Sequence, residues 1–164
     1  MTTWKTGMLM YPAQLNSTVI AVKTDFQPIQ SQTVLQDDTQ LRFTALPAAS
    51  TWAVDSMLFF QTTAAADLKV GWSGPSGATF NWAAIAHGSS SSSSPDPIVL
   101  SWIGSISDTA VVGGPPFGTM APRGTLIIPA GSGGIFQFRW AQSVSTASQT
   151  AVAAGSWLRL MRIG

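Results

Sequence analysis

The chain has 164 residues, a formal net charge of +1 and only 9% charged residues, where an average soluble domain carries about 25%. That length suits one domain, and so even a charge lacks the clustered Lys/Arg that binding to nucleic acid requires. There is no cysteine, which excludes disulfides and thiolate metal sites.

Every acidic residue is an aspartate, and lysine occurs only at Lys5, Lys23 and Lys69. Glu and Lys are the residues that coat exposed helices, so their scarcity points away from helix. Gly, Pro, Ser and Thr abound instead, as strands joined by turns require. So few charges also suggest that part of the surface is covered in use.

Residues 1–32 differ from the rest. Trp4, Met8, Leu9, Met10, Tyr11, Leu15 and Ile20 follow no steady period, and Pro12 and Pro28 interrupt them. The segment reads as an extended N-terminal arm before a domain at 33–164. It either lies on that domain as a first strand or reaches a neighbouring surface. In the second case Trp4, Met8, Met10 and Tyr11 are its attachment residues, because apolar anchors without a core of their own need a partner. The start lacks the apolar run of a signal peptide, and no segment approaches the ~20 apolar residues of a membrane span. The expectation is a chain made in the cytoplasm, with no membrane partner.

From about residue 33 strand patterns are dense. Leu41, Phe43 and Ala45 alternate with Gln40, Arg42 and Thr44, after a turn at Asp37-Asp38. Residues 54–62 are apolar on both faces, with Val54, Leu58 and Phe60 on one and Met57 and Phe59 on the other, as in a central strand or a subunit contact. Leu68, Val70 and Trp72 alternate, then 73–77 turn, and Phe80, Trp82 and Ala84 resume. Gly88, serines 89 to 94 and Pro95-Asp96-Pro97 read as an exposed loop. Ile98, Leu100 and Trp102 form a further strand, with shorter ones at 109–112 and 125–128. Phe136, Phe138 and Trp140 face one way, and 157–163 closes the chain. About eight to ten short strands at this spacing predict an all-β sandwich of the jelly-roll type.

Catalytic chemistry finds little footing. His87, the one histidine, adjoins the serine run, and such a loop cannot hold the fixed geometry of a catalytic triad. Asp37, Asp38, Asp96 and Asp108 fall at expected turns, Asp55 and Asp67 at strand starts. No calcium-loop spacing surrounds Asp37-Asp38, and Gly131-Ser132-Gly133-Gly134 lacks the Lys-Ser/Thr of a phosphate loop. The expectation is no enzyme, no cofactor and no metal. Among the tryptophans most should fill a core or interface. Trp52 and Trp157 are the candidates for exposure, since neither lies on the apolar face of its strand pattern.

Short motifs then point to a family. Gly124-Thr125-Leu126-Ile127-Ile128-Pro129 is followed by Phe136-Gln137-Phe138-Arg139-Trp140-Ala141-Gln142 and by Ala154-Gly155-Ser156-Trp157-Leu158-Arg159-Leu160. Leu35-Gln36-Asp37-Asp38, Trp52-Ala53-Val54-Asp55, and Phe59-Phe60 ahead of Asp67-Leu68-Lys69 belong to the same texture. Together, over residues 33–164, these resemble the small jelly-roll virion proteins of tailed actinobacterial phages. The resemblance implies a virion surface protein that assembles as a trimer. Within that family it implies a head decoration protein on the major capsid protein, the absence of a shaft favouring this placement. The alternative it leaves is a minor tail, fibre or receptor-binding module that contacts host surface glycans. It assigns no functional residue.

Overall fold

The alternating pattern is realised as twelve strands in the computed structural model, which describes residues 18–86, 98–99, 102–113 and 116–164. In chain order they are β1 (Thr18–Val22), β2 (Gln27–Ile29), β3 (Gln36–Leu46), β4 (Ser50–Gln61), β5 (Leu68–Ser73) and β6 (Thr79–Ala86). There follow β7 (Ile98–Val99), β8 (Ala110–Val112), β9 (Phe117–Ile128), β10 (Gly134–Gln142), β11 (Thr150–Val152) and β12 (Trp157–Arg162). Among the described residues there is no helix.

The strands pair as one nested hairpin. β1 pairs with β12, β2 with β11, β3 with β10, β4 with β9, β5 with β8 and β6 with β7, all antiparallel. Rolling this ribbon up adds β10·β5, β9·β6, β12·β4 and β11·β4. The outcome is a smaller sheet, β3-β10-β5-β8, facing a larger one, β1-β12-β4-β9-β6-β7, with β11 and β2 attached beside β4. Strands β3 to β10 alone form the eight-stranded jelly roll, and the outermost four widen one of its sheets. The chain is an all-β, jelly-roll-like β-sandwich.

Inward side chains of both sheets fill the space between them. Trp72 stacks on Phe136 with ring centroids 5.2 Å apart and meets Phe80 edge-on at 5.1 Å. Trp82, Phe138 and Trp140 are buried around them. Such offset and edge-on contacts add to the burial of large apolar area.

β4 is a central strand, as its two-faced sequence predicts, between β12 and β9. β9 is much longer than the expected 125–128, because Gly118, Pro122 and Gly124 disguise it. Pro122 has no N–H for the ladder, and Ser56 Oγ donates to its carbonyl at 2.8 Å. At Gly124 a Cβ would lie 2.2 Å from Asn81 O and 2.8 Å from the Phe80 ring, so only glycine lets β6 and β9 approach this closely.

Residues 18–32 of the expected arm take its first-strand alternative: they contain β1 and β2, which are strands of the larger sheet; residues 1–17 lie outside those described. One expectation is corrected. Asp37-Asp38 is not a turn but part of β3. Of the strand expected at 98–102, β7 is described, residues 100 and 101 lie outside the described residues, and Ile103 bridges to Trp82. The serine run, His87 and Asp96 lie outside the described residues. The strand count exceeds the expected eight to ten because β2 and β11, at three residues each, are too short to show a period.

Candidate functional site

The two outer faces of the sandwich differ in chemistry. On the smaller sheet the outward residues of β3 are Asp37, Thr39, Arg42 and Thr44, and Arg139 Nε lies 2.7 Å from Asp37 Oδ1. Lys69 Nζ donates to the Thr33 carbonyl. This face is mainly polar, with Ile135 of β10 exposed on it as well.

The larger sheet presents apolar side chains outward. Ile20, Val22, Phe59, Ile85, Ile127 and Met161 are all exposed on it, and Met57 and Trp157 are half-buried among them. The cause is local. Along β4 the even positions Trp52, Val54, Leu58 and Phe60 turn into the core, which leaves Ala53, Asp55, Met57 and Phe59 on the outside. Exposed apolar side chains gathered on one face in this way are common at contact surfaces.

One row of charge crosses its middle. Register places Arg159, Asp55 and Arg123 side by side on β12, β4 and β9. Arg159 Nη2 donates to Asp55 Oδ2, and Arg123 Nε lies 3.1 Å from Asp55 Oδ1 in an ion pair that lacks hydrogen-bond geometry. Two guanidinium groups share one carboxylate, so the row carries a surplus positive charge. Shallow hollows flank it. One of about 250 Å³ is lined by Thr18, Ala53, Asp55, Arg159 and Met161. The other, about 120 Å³, is lined by Ala83, Ala84, Ile85, Ala121 and Arg123.

The sequence-predicted aromatics separate. Trp157 lies on this face, its indole 5.7 Å from the Arg159 guanidinium carbon in a cation–π arrangement. Trp52 does not; it is 4% exposed, and its Nε1 donates to Ser50 Oγ at 2.9 Å. The inward phase of β4 extends two residues before Val54 and takes Trp52 with it. Sequence reasoning missed Trp102, which is 75% exposed beside Gly104. Trp4, Met8, Met10 and Tyr11 lie outside the described residues.

A second missed feature is buried. Lys23 and Asp38 form an ion pair of 2.8 Å with both side chains at 0% exposure. Gln40 N and Leu41 N donate to Asp38 Oδ1, and Trp140 Nε1 donates to Oδ2. Lys23 also donates to Gln27 Oε1 at 3.1 Å. These bonds satisfy the buried charges and tie the end of β1 to the opposite sheet. Asp67 is different. Burial pushes its carboxyl above the usual aspartate value, and its Oδ1 has no hydrogen-bond partner. Among the described residues no three His, Cys, Asp or Glu side chains group to hold a metal.

No protein-family model matches the chain, and no curated protein matches it. Solved structures do. One is of infectious bursal disease virus, Gx strain, with 13% identity over 88% of this chain and a TM-score of 0.42. Another is a mutant VP2 protein of the same virus in derived T=1 particles, with 14% identity over 89% of this chain and a TM-score of 0.24. The chain spans about a third of the length of the first.

Proposed function

We propose that this chain is a structural protein of a phage virion. It acts as a head decoration protein that assembles as a trimer and binds the major capsid protein at the particle surface. The observation that carries this reading is the contrast between faces: a polar smaller sheet suited to solvent, and an apolar larger sheet suited to a neighbour. The jelly roll fits by analogy, since it serves capsid, lectin and cupin domains alike. The role is binding, not turnover. Asp37, Asp38 and Asp55 are engaged in ion pairs within the sandwich.

Imaging particles made with and without the gene tests the reading. Expected is head-surface density, present in threes, that disappears with the gene. Particles identical in both preparations contradict a virion role, and density confined to the tail contradicts decoration. A tail or receptor-binding role has one observation in its favour, the exposed Trp102 indole, on which a sugar ring could stack. That role predicts affinity for host surface glycans that is lost on Trp102→Ala.

A further inference from the structure

We propose that Lys23 and Asp38 condense into an amide, so that a covalent side-chain bridge joins the end of β1 to β3. The bridge is independent of the virion reading, and the ion pair described above is its starting state.

Position is the first ground. Lys23 Nζ lies 2.8 Å from Asp38 Oδ2, one bond away from the carboxyl carbon, with both side chains at 0% exposure. Gln27 Oε1 accepts a second N–H from Nζ at 3.1 Å and fixes its direction. Groups held in this way react as if at very high concentration, on the order of 10⁵ M or more when well oriented. Condensation also removes two charges from a site that solvent does not reach, and the same exclusion of water protects the product from hydrolysis.

The carboxylate's hydrogen bonds are the second ground. Gln40 N and Leu41 N donate to Asp38 Oδ1 at 3.0 and 2.9 Å, the range of donors that stabilise an oxyanion. Trp140 Nε1 donates to Oδ2 at 3.3 Å. Oδ1 is thus placed as the oxygen that stays, and Oδ2 as the oxygen that leaves.

One proton first passes from Nζ to Oδ2, which sets a neutral amine beside a neutral acid. The Nζ lone pair attacks Cγ, and one C–O electron pair moves onto Oδ1 between the two backbone donors. When that pair returns, the Cγ–Oδ2 bond breaks. Oδ2 takes a second proton from Nζ and departs as water. One C–N bond replaces one C–O bond, and nothing is oxidised or reduced. Gln27 is an amide and takes no proton, so the pair moves its own protons and the reaction is a slow step after folding.

Placement gives the bridge a use. β1 is an edge strand of the larger sheet and β3 an edge strand of the smaller one. The bond closes the side of the sandwich where these edges meet. A pull on the chain ahead of β1 would then end at Lys23 and pass directly to β3, before it reached β2.

Trypsin reads the bond. The basic residues up to position 42 are Lys5, Lys23 and Arg42. An acylated Lys23 is not cut, so the bridged chain yields one peptide, 6–42, lighter by one water than its sequence. Tandem mass spectrometry then gives no separated fragments for backbone bonds between residues 23 and 38. The full chain, stored folded for weeks at neutral pH, should accumulate this peptide. The same chain stored unfolded in guanidinium chloride should not. Lys23→Arg keeps a cation but has no amine to acylate, and should show no loss of water; if it does not fold, the unfolded native chain still supplies the comparison. Separate peptides 6–23 and 24–42 at full mass throughout storage overturn the bridge. So does a lost water with Lys23 still cut, which marks an aspartyl succinimide in place of the amide.

Discussion

Lys23 Nζ sits 2.8 Å from Asp38 Oδ2, with both side chains excluded from solvent. The pair joins the residue after β1 to the opposite sheet, and the Lys23 backbone is held as well. Its N–H donates to Ser156 O and its carbonyl accepts from Gly155 N, both at 2.8 Å. Loss of one partner leaves a buried charge uncompensated. Lys23→Met should therefore cost about 3–5 kcal/mol of stability. The double variant Lys23→Met with Asp38→Asn should cost less than the two single changes added together. Urea unfolding of the four proteins gives the comparison, and strict additivity would contradict coupling.

Gly124→Ala should destabilise by about 1–3 kcal/mol or more, because the new methyl meets the Asn81 carbonyl and the Trp82 backbone. Gly118→Ala meets side-chain atoms alone, those of the buried Phe60 ring, and no backbone, so its cost should be the smaller of the two. Thermal unfolding of both variants tests the order.

Asp67 gives a pH signature. Its folded-state pKa is raised by burial, so the folded protein holds this proton more tightly than the unfolded chain. Stability then falls as pH rises from the unfolded value of 3.8 through the folded pKa, and the deficit persists above it. Asp67→Asn removes the charge and keeps a side chain that tolerates the positive φ of 46° found there. The variant should be more stable than the native chain at neutral pH, and the difference should close in acid below the unfolded pKa. Denaturation curves across that range test it, and a gap that does not depend on pH would contradict the assignment.

Trp52 and Trp102 should respond in opposite ways. Trp52→Ala empties part of the core and should cost about 3–5 kcal/mol, while Trp102→Ala should stay within about 0.5 kcal/mol. Chemical denaturation separates them.

The sandwich was legible in the sequence because half-buried strands such as β3, β4 and β10 carry a period of two over many residues. What was not legible has physical causes. β1 and β2 hold few core side chains, and their place is set by pairing with β12 and β11 at the far end of the chain. Asp37-Asp38 has turn composition, yet Asp38 finds a lysine 15 residues earlier, a long-range match that no local pattern contains. Trp52 was misread because the β4 alternation was begun at Val54 instead of Ser50. The apolar outer face was half visible. The two-faced run at 54–62 was read as a central strand or a contact, and it is a central strand with Met57 and Phe59 on its outer side, but the row formed with Arg123 and Arg159 needed the register of three strands.

The central claim is that the outer face of the larger sheet joins this chain to its assembly. The most direct measurement is particle occupancy of a triple variant of that face, Ile20→Lys, Ile127→Lys and Met161→Lys. A control alters the smaller sheet at Thr39→Lys and Thr44→Lys. Both variants should remain folded, since all five residues are exposed. The account predicts that the first is lost from particles and the second is retained. Full occupancy by the folded triple variant would contradict it.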